Sequence, residues 1–476
     1  MPIDSSRLSA RVRDVLKGHS GPGARPDHAR PLDDADVGEH PLREVRFVPD
    51  EDVPVSVERA EGCVVIEREY PAHVSHGRAS VGDYAAAVND HVQALALLAA
   101  EPPPDAAERR TPRAGTFEWD TRRRARDSRR RPGAPTSGPL LFFDLETTGL
   151  SGGVGTVAFL VGCGFFDGDQ FRTRQFFLSG YEAEHDLLQS LATLTRGFEG
   201  LVSFNGRTFD VPLIEMRYAF HRLPSPFDDL PHFDMLHPAR RLWRRRGGAL
   251  ADDGWELTAP DSDSESCALK SLEEAILRTG RVGDVPGFEI PSRYFQYLRT
   301  GDLDPLQAVF EHNRLDLLSL AALTGLAAKM AAGGPEAVPS AHESLAMGQL
   351  YECAGRDDQA EACFVQAAGL PGSPWDPQCL DGDIRVDALR KLALMRRRQR
   401  RFSDAADAWE AVLTIASRAA HLQEARQALA IHHEHRTRDL ASARRLAESA
   451  AAAERDPARA AALSHRLGRL RRKQGE

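Results

Sequence analysis

The chain has 476 residues, enough for two or three compact domains, and its 42% hydrophobic and 28% charged fractions lie in the range of ordinary folded proteins. A net charge of −9 argues against a protein that coats nucleic acid non-specifically, but it leaves room for a local basic groove. No run of 18 uncharged apolar residues occurs and Met1–Leu16 carries charges where a leader would be apolar, so the expectation is a cytoplasmic protein without a membrane partner.

Residues 1–40 are rich in Gly, Pro, Asp and Arg, and are predicted to be largely disordered apart from a short helix at Leu8–Leu16. Residues 41–100 read as a small strand and helix region: apolar bursts (Val45, Phe47, Val48; Val64, Val65, Ile66) predict strands, and Ala85–Ala99 a helix. Residues 101–138, with Arg122, Arg123, Arg124, Arg126 and Arg129–Arg131, have the composition of an Arg/Pro-rich linker. A second domain is expected over 139–332. It opens with the buried strand Pro139–Asp144, followed by strands Thr156–Phe166 and Gln170–Leu178 joined at the turn Asp167-Gly168-Asp169. Helix Ala183–Leu194, strand Leu201–Phe204, helix Val211–Arg222 and strand His232–Leu236 complete three antiparallel strands and then αβαβ, the order of an RNase H-like mixed sheet. A polar loop spans Arg246–Asp263. From 338 to 476 the chain is Ala-, Leu- and Arg-rich with helical periodicity. Gly348, Tyr351, Ala360, Phe364 and Ala367 fall at tetratricopeptide (TPR) spacing, repeated in part by Ala393, Ala405, Trp409 and Val412, and by Ala443, Ala447 and Ala450. Stacked helix pairs are expected, with an unrelated helical bundle as the alternative. The six cysteines show no CxxC pair and read as reduced thiols.

Asp144 and Glu146 end an apolar strand, where alternate residues share a side, so the two carboxylates repel unless a cation lies between them. Carboxylate oxygens suit hard ions such as Mg²⁺ or Mn²⁺. Alone, the pair is also what two solvated acids at a strand end would give. Asp210 follows Asn205 and a short apolar strand at a helix start, where an N-cap aspartate would serve equally well. His312 and Asp316 stand four apart on one face of a leucine-rich helix; Asp316 has no evident partner there, which metal ligation would supply. Asp234 is a further acid at a strand end, and Arg240, Arg241, Arg244, Arg245 and Arg246 form a basic run suited either to phosphate or to solvent.

These three elements, in this order, resemble the exonuclease motifs of the DEDD superfamily. The phrases Phe143–Leu150, Ser203–Gly206 and Glu311–Asp316 look more closely like the YprB-like proteins, RNase H-like domains with C-terminal TPR-type repeats. The resemblance implies a 3′→5′ exonuclease holding two Mg²⁺ or Mn²⁺ ions on Asp144, Glu146, Asp210 and Asp316, with Thr147, Thr148 and Asn205 meeting the DNA or RNA substrate. It also implies a protein partner on the repeats. His312 departs from the pattern: it holds the position of the tyrosine branch, four before the last Asp, where the histidine branch has its His at five. One residue turns a side chain by about 100° on a helix. His312 is expected to manage the attacking water from there. An RNase H-like endonuclease, or a repeat scaffold with a vestigial nuclease domain, are the rival readings.

Overall fold

The computed structural model describes residues 53–60, 63–100, 133–149, 155–244, 267–281, 283–454 and 457–474. The expected disordered N-terminus with its short helix, most of the Arg-rich linker, and the 246–263 loop lie outside the described residues.

Apolar segments form nine strands among the described residues: β1 (Val55–Ala60), β2 (Cys63–Tyr70), β3 (Ser75–His76), β4 (Ala79–Ser80), β5 (Leu140–Thr147), β6 (Ala158–Asp167), β7 (Gln170–Phe177), β8 (Gly200–Ser203) and β9 (His232–Asp234). Seven make one mixed sheet in the order β1-β2-β7-β6-β5-β8-β9, with β3 and β4 a separate small hairpin. The meander β5-β6-β7 is antiparallel, and β8 and β9 add in parallel beside β5. The parallel additions need crossovers, supplied by helices α2 (Glu184–Thr195) and α3 (Asp210–Phe220), with α4 (Leu236–Leu242) after β9. Of the strands in the 41–100 region, β1 and β2 do not stand apart: β2 pairs antiparallel with β7, so these two N-terminal strands widen the main sheet. Their helix, α1 (Val81–His91), opens with a capping box between Ser80 and Asp83.

Beyond the sheet come α5 (Ile290–Thr300) and α6 (Asp304–Gly333). α6 is long and apolar enough to cross a membrane by length and composition, but here it is a core helix, packed on β5, β6 and β7 and covered by α1. Phe142, Phe143, Phe159, Phe171 and Phe177 are fully buried on the sheet, each contributing about 1.5–3 kcal/mol by leaving water. Tyr294 belongs to this core: its ring stacks on Phe159 at 4.2 Å and its hydroxyl donates to Leu178 O at 2.9 Å.

The remainder is helical: α7 (Ala341–Cys353), α8 (Asp357–Ala367), α9 (Gly382–Arg398), α10 (Phe402–Ile415), α11 (Ala419–His432), α12 (Leu440–Ala453) and α13 (Pro457–Gln474). Each packs on the next in sequence. The apolar cluster that begins on the sheet runs on through Tyr351, Phe364 and Leu392 to Met395, so the boundary expected at 333–337 is not a break in the core.

Candidate metal centre

Asp144 and Glu146 lie on the face of β5 that α6 covers. Register aligns Asp144 with Gly162 on β6, and Gly162 with Gln175 on β7. Asn313 of α6 lies across this row: its Nδ2 donates to Asp144 Oδ2 at 2.7 Å, and its Oδ1 accepts from Gln175 Nε2 at 2.8 Å. A Cβ at Gly162 would stand 2.3 Å from Asn313 Oδ1, so only glycine admits the helix this close. Sequence reasoning passed over Asn313, although it sits three residues before Asp316; the glycine in the neighbouring strand was the signal.

Asp210 is the first residue of α3 rather than its cap; Phe209 holds the cap position and makes no side-chain cap bond, so the N-cap alternative does not apply. The preceding loop is held by Asp234, whose Oδ1 accepts from Asn205 N at 2.8 Å and whose Oδ2 accepts from Arg207 N at 3.1 Å. Asn205 takes the left-handed conformation (φ 65°) that asparagine tolerates. Asp234 Oδ1 also accepts from Leu236 N at 3.1 Å, at the start of α4. Thr147 Oγ1 donates to Gly149 O, and Thr148 is tied through both its N–H and its Oγ1 to Val157, so these two threonines shape the β5–β6 connection. Of the basic run, Arg241 donates to Leu98 O and Ala100 O, Arg240 and Arg244 are exposed, and Arg245 and Arg246 lie outside the described residues.

Asp316 has a partner that the sequence did not reveal. Arg281, arriving from the segment before α5, pairs with Asp316 Oδ1 and is itself gripped by the buried Glu273, with Arg281 Nε donating to Glu273 Oε2 at 2.7 Å. His312 Nδ1 lies 2.6 Å from Asp284 Oδ1, and its Nε2 3.5 Å from Asp316 Oδ2. Glu311, the neighbouring acid, pairs instead with Arg314 and Arg68. The segment from Tyr70 to Gly77 packs against α6: Arg314 donates to the Tyr70 hydroxyl, and His76 Nε2 stands 2.8 Å from Ser319 Oγ. Burial lowers His76 to about 4, so it packs there neutral near pH 7.

The four acids act on one another electrostatically. Burial, then the charges of Asp316 and Asp210, push Asp144 well above the carboxylate range, against the opposing bond from Asn313. Glu146 is driven up by burial and by Asp144, Asp316 and Asp210. Burial with Asp234 and Asp316 lifts Asp210 to about 7. Asp316 is raised by burial, less so because Arg281 and His312 offset it. Glu146 is 92% buried, at 8% exposure, yet has no hydrogen bond or ion pair with the described residues. A buried carboxylate in that condition is costly, and an all-oxygen acidic donor set of this kind fits a hard divalent cation.

A sheet of this topology with acids at its centre defines the RNase H class. The RNase_H superfamily model matches residues 141–328. Over 345 residues the chain is 30% identical to the uncharacterized protein YprB of Bacillus subtilis (strain 168), covering 70% of this chain and 75% of that protein. The chain belongs to this YprB family of RNase H superfamily proteins, a membership that points to nucleic-acid hydrolysis.

Proposed function

We propose that the protein is a metal-dependent 3′→5′ exonuclease of the DEDD type acting on single-stranded DNA or RNA. The observation that carries the reading is that Asp144, Glu146, Asp210 and Asp316, from β5, α3 and α6, are close enough for Asp316 and Asp210 to raise Asp144, for all three of these to raise Glu146, and for Asp316 to raise Asp210, beyond the effect of burial. Such a cluster opposes folding unless cations use it. These acids would hold Mg²⁺ or Mn²⁺, which when bound supplies an activated water and stabilises the leaving oxygen. The chain's own part is to hold the ligands rigid: Asn313 and Gln175 fix Asp144, Asp234 fixes the loop before Asp210, and Arg281 fixes Asp316. Phe209, 55% exposed beside Asp210, offers a ring face to an unpaired base, which favours a single strand.

The C-terminal helices are proposed as a TPR-like array that presents a surface to a protein partner. Supporting this, the small residues picked out by spacing are packing positions: Ala360, Ala367, Ala393, Ala443, Ala447 and Ala450 are fully buried. A Cβ at Gly348 would meet the Phe364 ring at 2.6 Å, so α7 and α8 touch across a glycine.

The test is incubation of the purified chain with 5′-labelled single-stranded DNA and RNA in Mn²⁺. A ladder shortening from the 3′ end is expected. Internal cuts would make it an endonuclease, and intact substrate would leave the repeat scaffold as the better reading.

A further inference from the structure

We infer that His312 is itself a metal ligand, through Nε2, and that Asp284 is the residue that orients it for this. The use of the ion rests on the nuclease reading; its binding does not. A carboxylate oxygen of Glu146, a ring nitrogen of His312 and a carboxylate oxygen of Asp316 all lie within 4.8 Å of one another, a set that could hold one ion. Independently of that spacing, Glu146 is nine-tenths buried at this point and has no partner among the described residues. A largely buried carboxylate without a hydrogen-bond partner is costly, and a cation at this point would offset the cost.

The chemistry of the histidine follows from its other nitrogen. Two groups meet His312 Nδ1: Arg281 Nη1 at 3.3 Å, which can only donate, and Asp284 Oδ1 at 2.6 Å, which can only accept when ionised; the much shorter contact places the proton of neutral His312 on Nδ1 and leaves the Nε2 lone pair facing the acids. Nε2 and Asp316 Oδ2, 3.5 Å apart, then face each other as two acceptors, a poor hydrogen bond but a fair spacing for two ligands of one ion. Arg281 engages Asp316 through Oδ1, leaving Oδ2 for the ion. Carboxylate, imidazole and ion in line is the arrangement by which proteins fix a ligating histidine. His312 is then occupied as a ligand and does not take the proton of the attacking water, a role the sequence had assigned to it. An imidazole among carboxylates also shifts preference from Mg²⁺ toward Mn²⁺.

Metal-free full-length protein, without nucleic acid, is titrated with MnCl₂ and with MgCl₂ by calorimetry, and the Mn²⁺-loaded samples are examined by pulsed EPR. Wild type should show coupling of Mn²⁺ to an imidazole nitrogen. His312→Gln should lose that coupling, and both it and Asp284→Asn should bind Mn²⁺ about 10–100-fold more weakly, with a smaller loss for Mg²⁺. Bound Mn²⁺ without nitrogen coupling in wild type overturns the inference whatever the variants do, as does a failure to bind Mn²⁺ at all. Nitrogen coupling in a protein that hydrolyses no substrate would leave this inference standing and sink the nuclease. Hydrolysis without the coupling would do the reverse.

Discussion

Asp144 can be changed to asparagine with almost no change in volume, and an asparagine Oδ1 can still accept the bond that Asn313 donates. The substitution removes one of the mutually repelling charges, so the metal-free fold should become more stable while hydrolysis falls to background, a pair of opposite effects that thermal melts and an activity assay read together. The pH dependence follows from the same crowding. Asp210, lifted to about 7 from an ordinary 3.8, binds more protons in the folded than in the unfolded state between those values, so metal-free stability should fall as pH rises from about 4 to 7. Added Mn²⁺ should reverse the fall at the upper end of that window; melting temperatures that are flat or rising with pH in metal-free protein would contradict it. The acids were legible in the sequence because strand alternation, a helix start and an i, i+4 pair leave local marks. Arg281, Glu273 and Asp284 were not, since Arg281 and Asp284 reach Asp316 and His312, and Glu273 reaches Arg281, only through tertiary contact. Replacing Arg281 by methionine should cost about 3–5 kcal/mol in denaturant melts, because Glu273 is left buried and unpaired.

The row Asp144–Gly162–Gln175, with α6 seated on it, sets how firmly the centre is held. Gly162→Ala would drive a methyl into the Asn313 amide and push the helix off β6. A destabilisation of about 1–3 kcal/mol is expected, with a loss of activity beyond what the stability change explains. A fully active, equally stable alanine variant would show that Asn313 does not position Asp144. Apolar runs and the Asp167-Gly168-Asp169 turn located the central strands to within a few residues, because both signals are local. That β2 would pair with β7 was not legible: the partners are about a hundred residues apart, and no feature within either strand specifies its neighbour.

The apolar core joins the sheet to α7 and α8, where the Trp243 indole donates to Glu343 at 2.9 Å and the Tyr351 hydroxyl donates to Ala331 O at 3.0 Å. A periodic helical sequence marks such helices, but not which outer face continues into the neighbouring core. A cut near Gly334 should therefore yield an unstable fragment rather than a free-standing nuclease. The far end is secured differently. Glu434, its side chain fully buried after α11, accepts from Arg469 at 2.7 Å, Lys473 at 2.9 Å and Arg466 at 3.0 Å, all on α13, and these bonds hold it at about 2. Its stabilisation is complete above the ordinary glutamate value of 4.5 and is lost as pH falls toward 2. Hydrogen exchange should show α13 opening before the sheet in acid, and Glu434→Gln should open it already at neutral pH. On the proposed reading, the sheet, α3 and α6 together hold four carboxylates against their own repulsion so that a cation can use them. The most direct measurement is the rate at which wild type and Asp144→Asn, purified side by side, shorten a 5′-labelled single strand in Mn²⁺ and in EDTA. Loss from the 3′ end by wild type in Mn²⁺ alone is the predicted result; equal rates for the two proteins, or hydrolysis that persists in EDTA, would contradict it.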